Sequence, residues 1–206
     1  MARRSDKSAS PPPKPVPVLR TERLLLTLPA PTMAPLHLRF AEENREHLAP
    51  WEPPCAADYF TLGFWRERLR KNLIEYGKGV SVRFSIFWSA EPDGPVLGNC
   101  NFGSFVWGAF HCATVGYRLD HRILGKGVMT EALSAATRYM FEEQGFHRIE
   151  ANYRPTNERS GLVLRRLGFV VEGYARDYLF IDGDWRDHVL TSLTNPSMKS
   201  RPPRLP

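Results

Sequence analysis

The sequence predicts an α/β (α+β) domain in which seven strands interleave with four helices in the order β, α, α, β, β, β, α, β, α, β, β. Three observations carry that prediction. Apolar residues alternate with mostly polar neighbours at Val80, Val82, Phe84, Ile86 and Trp88, the period of a half-buried strand. They recur at helical spacing at Met129, Leu133, Ala136 and Met140. Turn chemistry separates the segments, most plainly Glu91-Pro92-Asp93-Gly94 and Asp182-Gly183-Asp184.

Taken in order, residues 23–28 read as a first strand, stopped by Pro29 and Pro31, which cannot continue a ladder. Thr32 offers a cap for a helix marked by Met33, Leu36, Phe40 and Leu48. A second helix covers about 58–76, with Phe60, Phe64, Leu69, Leu73 and Tyr76 on one face and Gly77 and Gly79 ending it. The strand over 80–88 continues through the turn into strands over 96–107 and 112–119, an antiparallel meander. A glycine-bearing loop over 121–127 leads into an amphipathic helix over 128–144, closed by Gly145. Residues 147–153 return as a strand, 156–167 as a helix ended by Gly168, and 169–181 with 185–193 as a hairpin. No internal repeat is visible.

At 206 residues the chain has room for one full domain and too little for two. The net charge of +6 resembles a nucleic-acid signature until it is located. Residues 1–20 carry +4 and 196–206 carry +3, so 21–195 stand at −1; the ends are basic and the domain is not. The same ends hold nine of the eighteen prolines and little apolar mass to repay ordering, so 1–18 and 195–206 are expected to be disordered tails around a domain over 19–194. They serve as solubilising ends or lean weakly on an anionic surface such as ribosomal RNA. A proline-rich stretch stands where a secretory signal needs an apolar run, and no run reaches membrane-span length, so a cytoplasmic protein without membrane contact is expected. Cys55, Cys100 and Cys112 form no C-x-x-C pair and the six histidines show no helical ligand spacing, so neither a disulfide framework nor a metal site is implied.

The segment Tyr117-Arg118-Leu119-Asp120-His121-Arg122-Ile123-Leu124-Gly125-Lys126-Gly127 ends a strand and opens a helix. Glycines let successive N–H groups turn to one point, and the following helix aims its positive end there, which suits a diphosphate. Arg122 and Lys126 add charge; a plain glycine turn before an ordinary helix is the alternative. A P-loop fails because position 120 is Asp and position 127 is Gly. The dinucleotide fingerprint is nearer, with Gly125, Gly127 and Thr130 followed by Glu150. Against it, the preceding strand carries Gly116, Arg118 and Asp120 instead of a buried apolar run, and a meander replaces repeated β-α-β units.

The R-x-x-G-x-G of residues 122–127, the helix, strand, Asn157 and helix that follow, and Leu167-Gly168-Phe169 resemble the GNAT N-acetyltransferase superfamily. T-E-R-L-x-L at 21–26, G-K-G-V-M-T-E-A-L at 125–133, H-R-I-E-A-N-Y at 147–153, N-x-R-S-G at 157–161 and the hairpin over 172–190 are similar to its RimJ/RimL-type ribosomal-protein alanine N-acetyltransferases, the RimJ group most of all. The resemblance covers about 19–193. It implies the GNAT fold, a central mixed, mostly antiparallel sheet of about seven strands flanked by about four helices. It implies acetyl-CoA as acetyl donor, with its pantetheine arm in a gap beside Tyr117, Arg118 and Leu119, its diphosphate held by Arg122, Leu124, Gly125, Lys126, Gly127, Val128, Met129 and Thr130, and contacts from Asn157 and Ser160. The implied partner is a protein N-terminus, the alanine of a small-subunit ribosomal protein, with the basic tails assisting a weak ribosome contact.

Acetyl transfer to an amine needs a neutral nucleophile, a held thioester, oxyanion stabilisation and a proton for the leaving thiolate. Ser160 is the candidate donor to the thiolate. Asn157 either touches the cofactor arm or caps its helix, and the two roles are compatible. Glu150 alternates with Ile149 and Ala151, so its carboxylate points away from them and either receives the amine proton through water or is a simple paired charge. An α-amine, with a pKa of about 7.7 to 8.0, needs no strong base, which favours it over lysine. No cysteine stands where a covalent step needs one, so direct attack in a ternary complex is expected. A small amine or antibiotic as acceptor, or a non-catalytic acetyl-CoA-sensing or RNA-associated module, are the rivals. Asp177, Tyr178, Trp185, Asp187 and His188 read as hairpin packing, and His111 as a loop histidine. Phe102, Phe105, Trp107 and Phe110 either line an acceptor pocket or pack on a helix.

Overall fold

The computed structural model describes residues 14–198. Its strands are β1 (Val18–Arg20), β2 (Leu24–Thr27), β3 (Val82–Trp88), β4 (Gly98–Val106), β5 (Cys112–Leu119), β6 (Arg148–Tyr153), β7 (Val170–Ile181) and β8 (Asp184–Thr194). Its α-helices are α1 (Ala34–Glu43), α2 (Arg45–Leu48), α3 (Leu62–Gly77), α4 (Val128–Glu142) and α5 (Glu158–Arg166). The strands form one sheet in the order β1-β2-β3-β4-β5-β6-β8-β7, antiparallel throughout except where β5 meets β6. The mixed, mostly antiparallel architecture expected from the sequence is therefore the one observed, with one more strand and one more short helix.

The additional strand straddles the expected boundary, with Val18 from the expected tail and Leu19 and Arg20 from the start of the expected domain. Val18, Leu19 and Arg20 pair with Thr27, Leu26 and Leu25, a three-residue match too short to show a period. Lys14 donates to Gln144 Oε1 (2.7 Å), and the Tyr76 hydroxyl donates to the Pro15 carbonyl (3.0 Å), so the domain begins earlier than position 19. At the other end Asn195 is buried, its amide reaching the Phe146 carbonyl (3.3 Å), and a 3-10 turn spans Pro196–Met198, so the domain also ends later than position 194. The remainder of both expected tails lies outside the described residues.

The first expected helix divides at Asn44, which is fully buried. Its Nδ2 donates to the Phe40 carbonyl (3.0 Å), and its Oδ1 accepts from the His121 N–H (2.9 Å), tying the α1–α2 corner to the loop after β5. Thr32 caps nothing, because Pro31–Met33 forms a 3-10 turn ahead of α1. The second helix starts at Leu62 and not near 58, since the Thr61 Oγ1 accepts from the Phe64 N–H (3.2 Å) and fixes the cap there.

The two faces of the sheet differ. On one, Leu24, Leu26, Phe84, Ile86, Cys100 and Phe102 pack against Leu133, Ala136 and Met140 of α4 in the main core. On the other, under α1 and α3, apolar contacts gather around Phe40, Phe87, Trp65 and Leu69, while Arg83, Ser85, Asn99, Asn101 and Arg118 face inward from β3, β4 and β5. Three of the four meander aromatics go to packing: Phe102 is fully buried, and Phe105 and Trp107 lie against Phe146 (ring centroids 4.7 and 4.6 Å), while Phe110 is exposed with the Arg148 guanidinium over its ring (5.9 Å). Cys100 and Cys112 are buried free thiols and Cys55 is an exposed one. No helix among the described residues is long and apolar enough to cross a membrane.

Candidate active site

The site begins where the sheet comes apart. β5 and β6 pair only at Cys112, Ala113 and Thr114 with Arg148, Ile149 and Glu150, yet β5 runs on to Leu119 and β6 to Tyr153. The unpaired ends open a cleft of about 440 Å³ whose walls include Gly116 to Leu119, Asn152 to Arg154 and the start of α5.

One end of the cleft is the loop after β5. Gly125 and Gly127 both hold φ of +75°, a left-handed conformation that side-chain-bearing residues seldom adopt. Gly127 is the N-cap of α4 and no side chain caps it, so the amides of Val128, Met129 and Thr130 keep the orphan N–H groups of a helix start; the first intrahelical bond runs from Glu131 to the Gly127 carbonyl (3.0 Å). A Cβ on Gly125 would meet nothing within 4 Å. Leu124, Gly125, Gly127, Val128, Met129 and Thr130 all line the cleft. The acid in that first turn, Glu131, is drawn away by Arg23 (2.6 Å) and Thr21 (2.5 Å), which clears the helix end for an anion.

Arg122 and Lys126 stand elsewhere. The Arg122 guanidinium donates to Asp120 (Nε to Oδ1, 2.9 Å) and pairs with Glu43 (2.6 Å), locking the loop to α1. Burial pushes the Asp120 carboxyl up, but the Arg122 hydrogen bonds outweigh it and hold the group below its ordinary value. Neither cation reaches the cleft wall; Arg154, Arg159 and Arg166 do. Arg159 and Arg166 are seven residues apart on α5, two turns along one face, a spacing that makes them legible once the helix is placed.

Across the cleft, Asn157 caps α5, its Oδ1 accepting from the Ser160 N–H (3.2 Å). The Ser160 Oγ lies 2.8 Å from the Tyr117 hydroxyl, which also reaches the Ser160 carbonyl (3.2 Å). Burial raises the Tyr117 phenol, so it stays protonated. Tyr117 was expected for its main chain; its hydroxyl adds a second donor beside Ser160, placed there by alternation with Val115 and Leu119, which share the cleft wall. Arg118 turns to the opposite face of β5, where it meets both Glu52 oxygens (3.1 Å) and donates to the Tyr59 hydroxyl (2.8 Å).

Glu150 is not brought to the cleft. Ile149 and Ala151 are buried, so the expected alternation holds, but Glu150 occupies the last position of β6 paired with β5 and accepts from Arg148 Nε (2.8 Å). Two histidines do line the cleft. His188 is buried, with Nδ1 against the Arg186 carbonyl (2.9 Å); since a carbonyl only accepts, Nδ1 is the donor of that bond and Nε2 is the ring nitrogen it leaves over. Burial and then the charges of His121 and Arg159 lower the pKa of the other, His47.

An acetyltransferase (GNAT) domain matches residues 23–170. The chain belongs to the GNAT acetyltransferase family. It is 44% identical over 178 residues to the ribosomal protein uS5 alanine N-acetyltransferase of Escherichia coli, across 86% of this chain and 91% of that one. A ribosomal-protein-S5-alanine acetyltransferase structure from Vibrio fischeri superposes with a TM-score of 0.83 at 36% identity, covering 88% of this chain and 98% of that one. Mycobacterium smegmatis RimJ in complex with CoA-disulfide superposes with a TM-score of 0.80 at 30% identity, over 91% and 90% of the two chains.

Proposed function

We propose that the chain transfers the acetyl group of acetyl-CoA to the α-amine of a protein N-terminus, the alanine of a small-subunit ribosomal protein. The acceptor rests on the 44% identity, over nearly the full length of both chains, to a protein named for that reaction. The donor is supported by the geometry: uncapped amides at Gly127 to Thr130 and the cations Arg159 and Arg166, which have no carboxylate partner among the described residues, suit a phosphate-rich nucleotide, and the edges of β5 and β6 left unpaired with each other suit an amide-bearing arm. Bound acetyl-CoA supplies a carbonyl activated as a thioester.

The rest is work for this chain's own groups. Backbone N–H groups along 116–119 bind the arm and meet the negative charge that develops on the carbonyl oxygen. His188 Nε2 is the acceptor on the wall for the amine proton, and the amine nitrogen then bonds the acetyl carbon as the C–S bond breaks. Ser160, with Tyr117 behind it, donates a hydrogen bond to the departing thiolate, and the proton that His188 takes from the amine balances the charge the sulfur carries away. On this reading the protein works in the cytoplasm, and the basic ends over 1–20 and 196–206 would add screened attraction to ribosomal RNA.

Incubating the full chain with labelled acetyl-CoA and peptides beginning with Ala, Ser or Met tests the reading. Label on the α-amine of the Ala peptide is expected. Labelling only of a lysine, or of no peptide at all under conditions where calorimetry registers acetyl-CoA binding, overturns it.

A further inference from the structure

Beneath α3 lies a second cavity, of about 430 Å³, that the chemistry above does not use. Its floor is the polar face of the sheet, where Ser85 and Asn99 are buried beside Arg83, Asn101 and Arg118. Among the described residues five buried side-chain atoms lack a hydrogen-bond partner in the protein, and four of them belong to residues lining this cavity: Trp65 Nε1, Asn72 Oδ1, Arg83 Nε and Arg118 Nε. Trp65 and Asn72 are 4% and 7% exposed, so these are core positions spent on polar groups that nothing in the fold satisfies. Such atoms mark a ligand site more readily than a structural one, since a fold gains nothing by burying them unpaired.

The chemistry of the missing partner can be read off. Three of the four atoms are donors and one is an acceptor. Arg83 lies 3.6 Å from Glu75 and Arg118 lies 3.1 Å from Glu52, while Arg68, also on the wall, has no carboxylate partner among the described residues; the cations exceed the acids by one. His37 adds no charge, because burial and then Arg118 push it down to about 3. An anionic, acceptor-rich group fits. The cavity adjoins the cleft across the end of β5, where Trp51, Glu52, Gly116, Tyr117 and Arg118 line both. A chain whose terminal nitrogen sits at the cleft therefore runs its next residues under α3.

We propose that this cavity is the subsite for the acceptor residues that follow the acetylated one, and that it selects a carboxylate side chain at the second or third position. The assignment rests on the peptide-acetyltransferase reading above. The carboxylate takes the Arg and Trp donors, and the Asn72 carbonyl accepts a peptide N–H.

The experiment measures kcat/KM for Ala peptides carrying Glu, Gln or Lys at positions two to four, with the full chain. At position two or three, Glu is expected to exceed Lys by about tenfold, the scale of one charge-assisted hydrogen bond. In Arg68→Met that ratio is expected to fall below about threefold, while the Gln peptide changes little. Alongside, the indole N–H resonance of Trp65, assigned through Trp65→Phe, is followed as an Ala-Glu peptide is titrated into the wild-type protein saturated with coenzyme A; a saturable shift is expected. Acetylation with equal rates for Glu and Lys at every position, or an unmoved Trp65 resonance, overturns the subsite and leaves the reaction standing. Failure to acetylate any peptide overturns the reaction itself and the acceptor with it.

Discussion

Ser160 and Tyr117 form a pair of hydroxyls 2.8 Å apart, and their arrangement fixes how each loss should register. The Ser160 amide is bound by Asn157 Oδ1, so the side chain is held at a helix start whether or not its Oγ is present. Removing that oxygen leaves the Tyr117 hydroxyl as the next donor, since its raised pKa keeps it protonated through the working range. Ser160→Ala is therefore expected to lower kcat about tenfold with the KM for acetyl-CoA unchanged, and the double variant with Tyr117→Phe about a hundredfold. Glu150→Gln, whose carboxylate is engaged by Arg148, is expected to change kcat/KM less than about threefold in the same steady-state assay. A Glu150→Gln loss as large as that of the double variant reverses these roles. The sequence placed Glu150 on the right face of its strand but not the end of the β5 and β6 pairing, because where two strands part depends on what packs between them.

The start of α4 concentrates three features on one point: two left-handed glycines, an uncapped helix end and a first-turn acid pulled aside by Arg23. Gly127→Ala puts a Cβ at φ +75°, where an L residue costs roughly 1 to 2 kcal/mol, with only an ordinary 3.6 Å contact to Arg23 Nη2. The cost falls on the loop geometry that the diphosphate needs, so the calorimetric Kd for acetyl-CoA is expected to rise about tenfold, with kcat at saturation nearly unchanged. A Kd that stays put separates the glycines from binding. This loop was the most legible part of the site, because glycine at a strand-to-helix corner has few other reasons to recur. The cations were not legible there: Arg122 and Lys126 both belong to the loop's own sequence, but Asp120 and Glu43 claim Arg122, and only the folded chain brings Glu43 from α1 to meet it. Long elements such as α4 and β3 announced themselves by period, whereas β1 has three residues and α2 four, each shorter than any period can show.

Across the molecule, the sheet carries an ordinary apolar core on its α4 face and polar chemistry on its α3 face, and His37 sits on that second face. Its ring lies against Trp65 (centroids 5.4 Å), its Nε2 is 3.3 Å from Ser85 Oγ, and burial followed by the Arg118 charge pushes its pKa from an ordinary 6.5 down to about 3. The unfolded chain thus binds a proton below about pH 6.5 that the folded chain refuses until about pH 3. The contribution of the neutral ring is whole above 6.5 and is lost as pH falls toward 3. At pH 4 that loss amounts to roughly 3 kcal/mol. Urea unfolding should therefore show wild-type stability dropping from pH 7 to pH 4 by about that much more than in His37→Gln, which keeps a polar group near Ser85 but cannot titrate. Parallel pH profiles for the two proteins would mean that the ring takes up its proton in the folded state. That requires water to reach it under α3, and a face so readily hydrated would not hold Trp65 and Asn72 unpaired for a ligand.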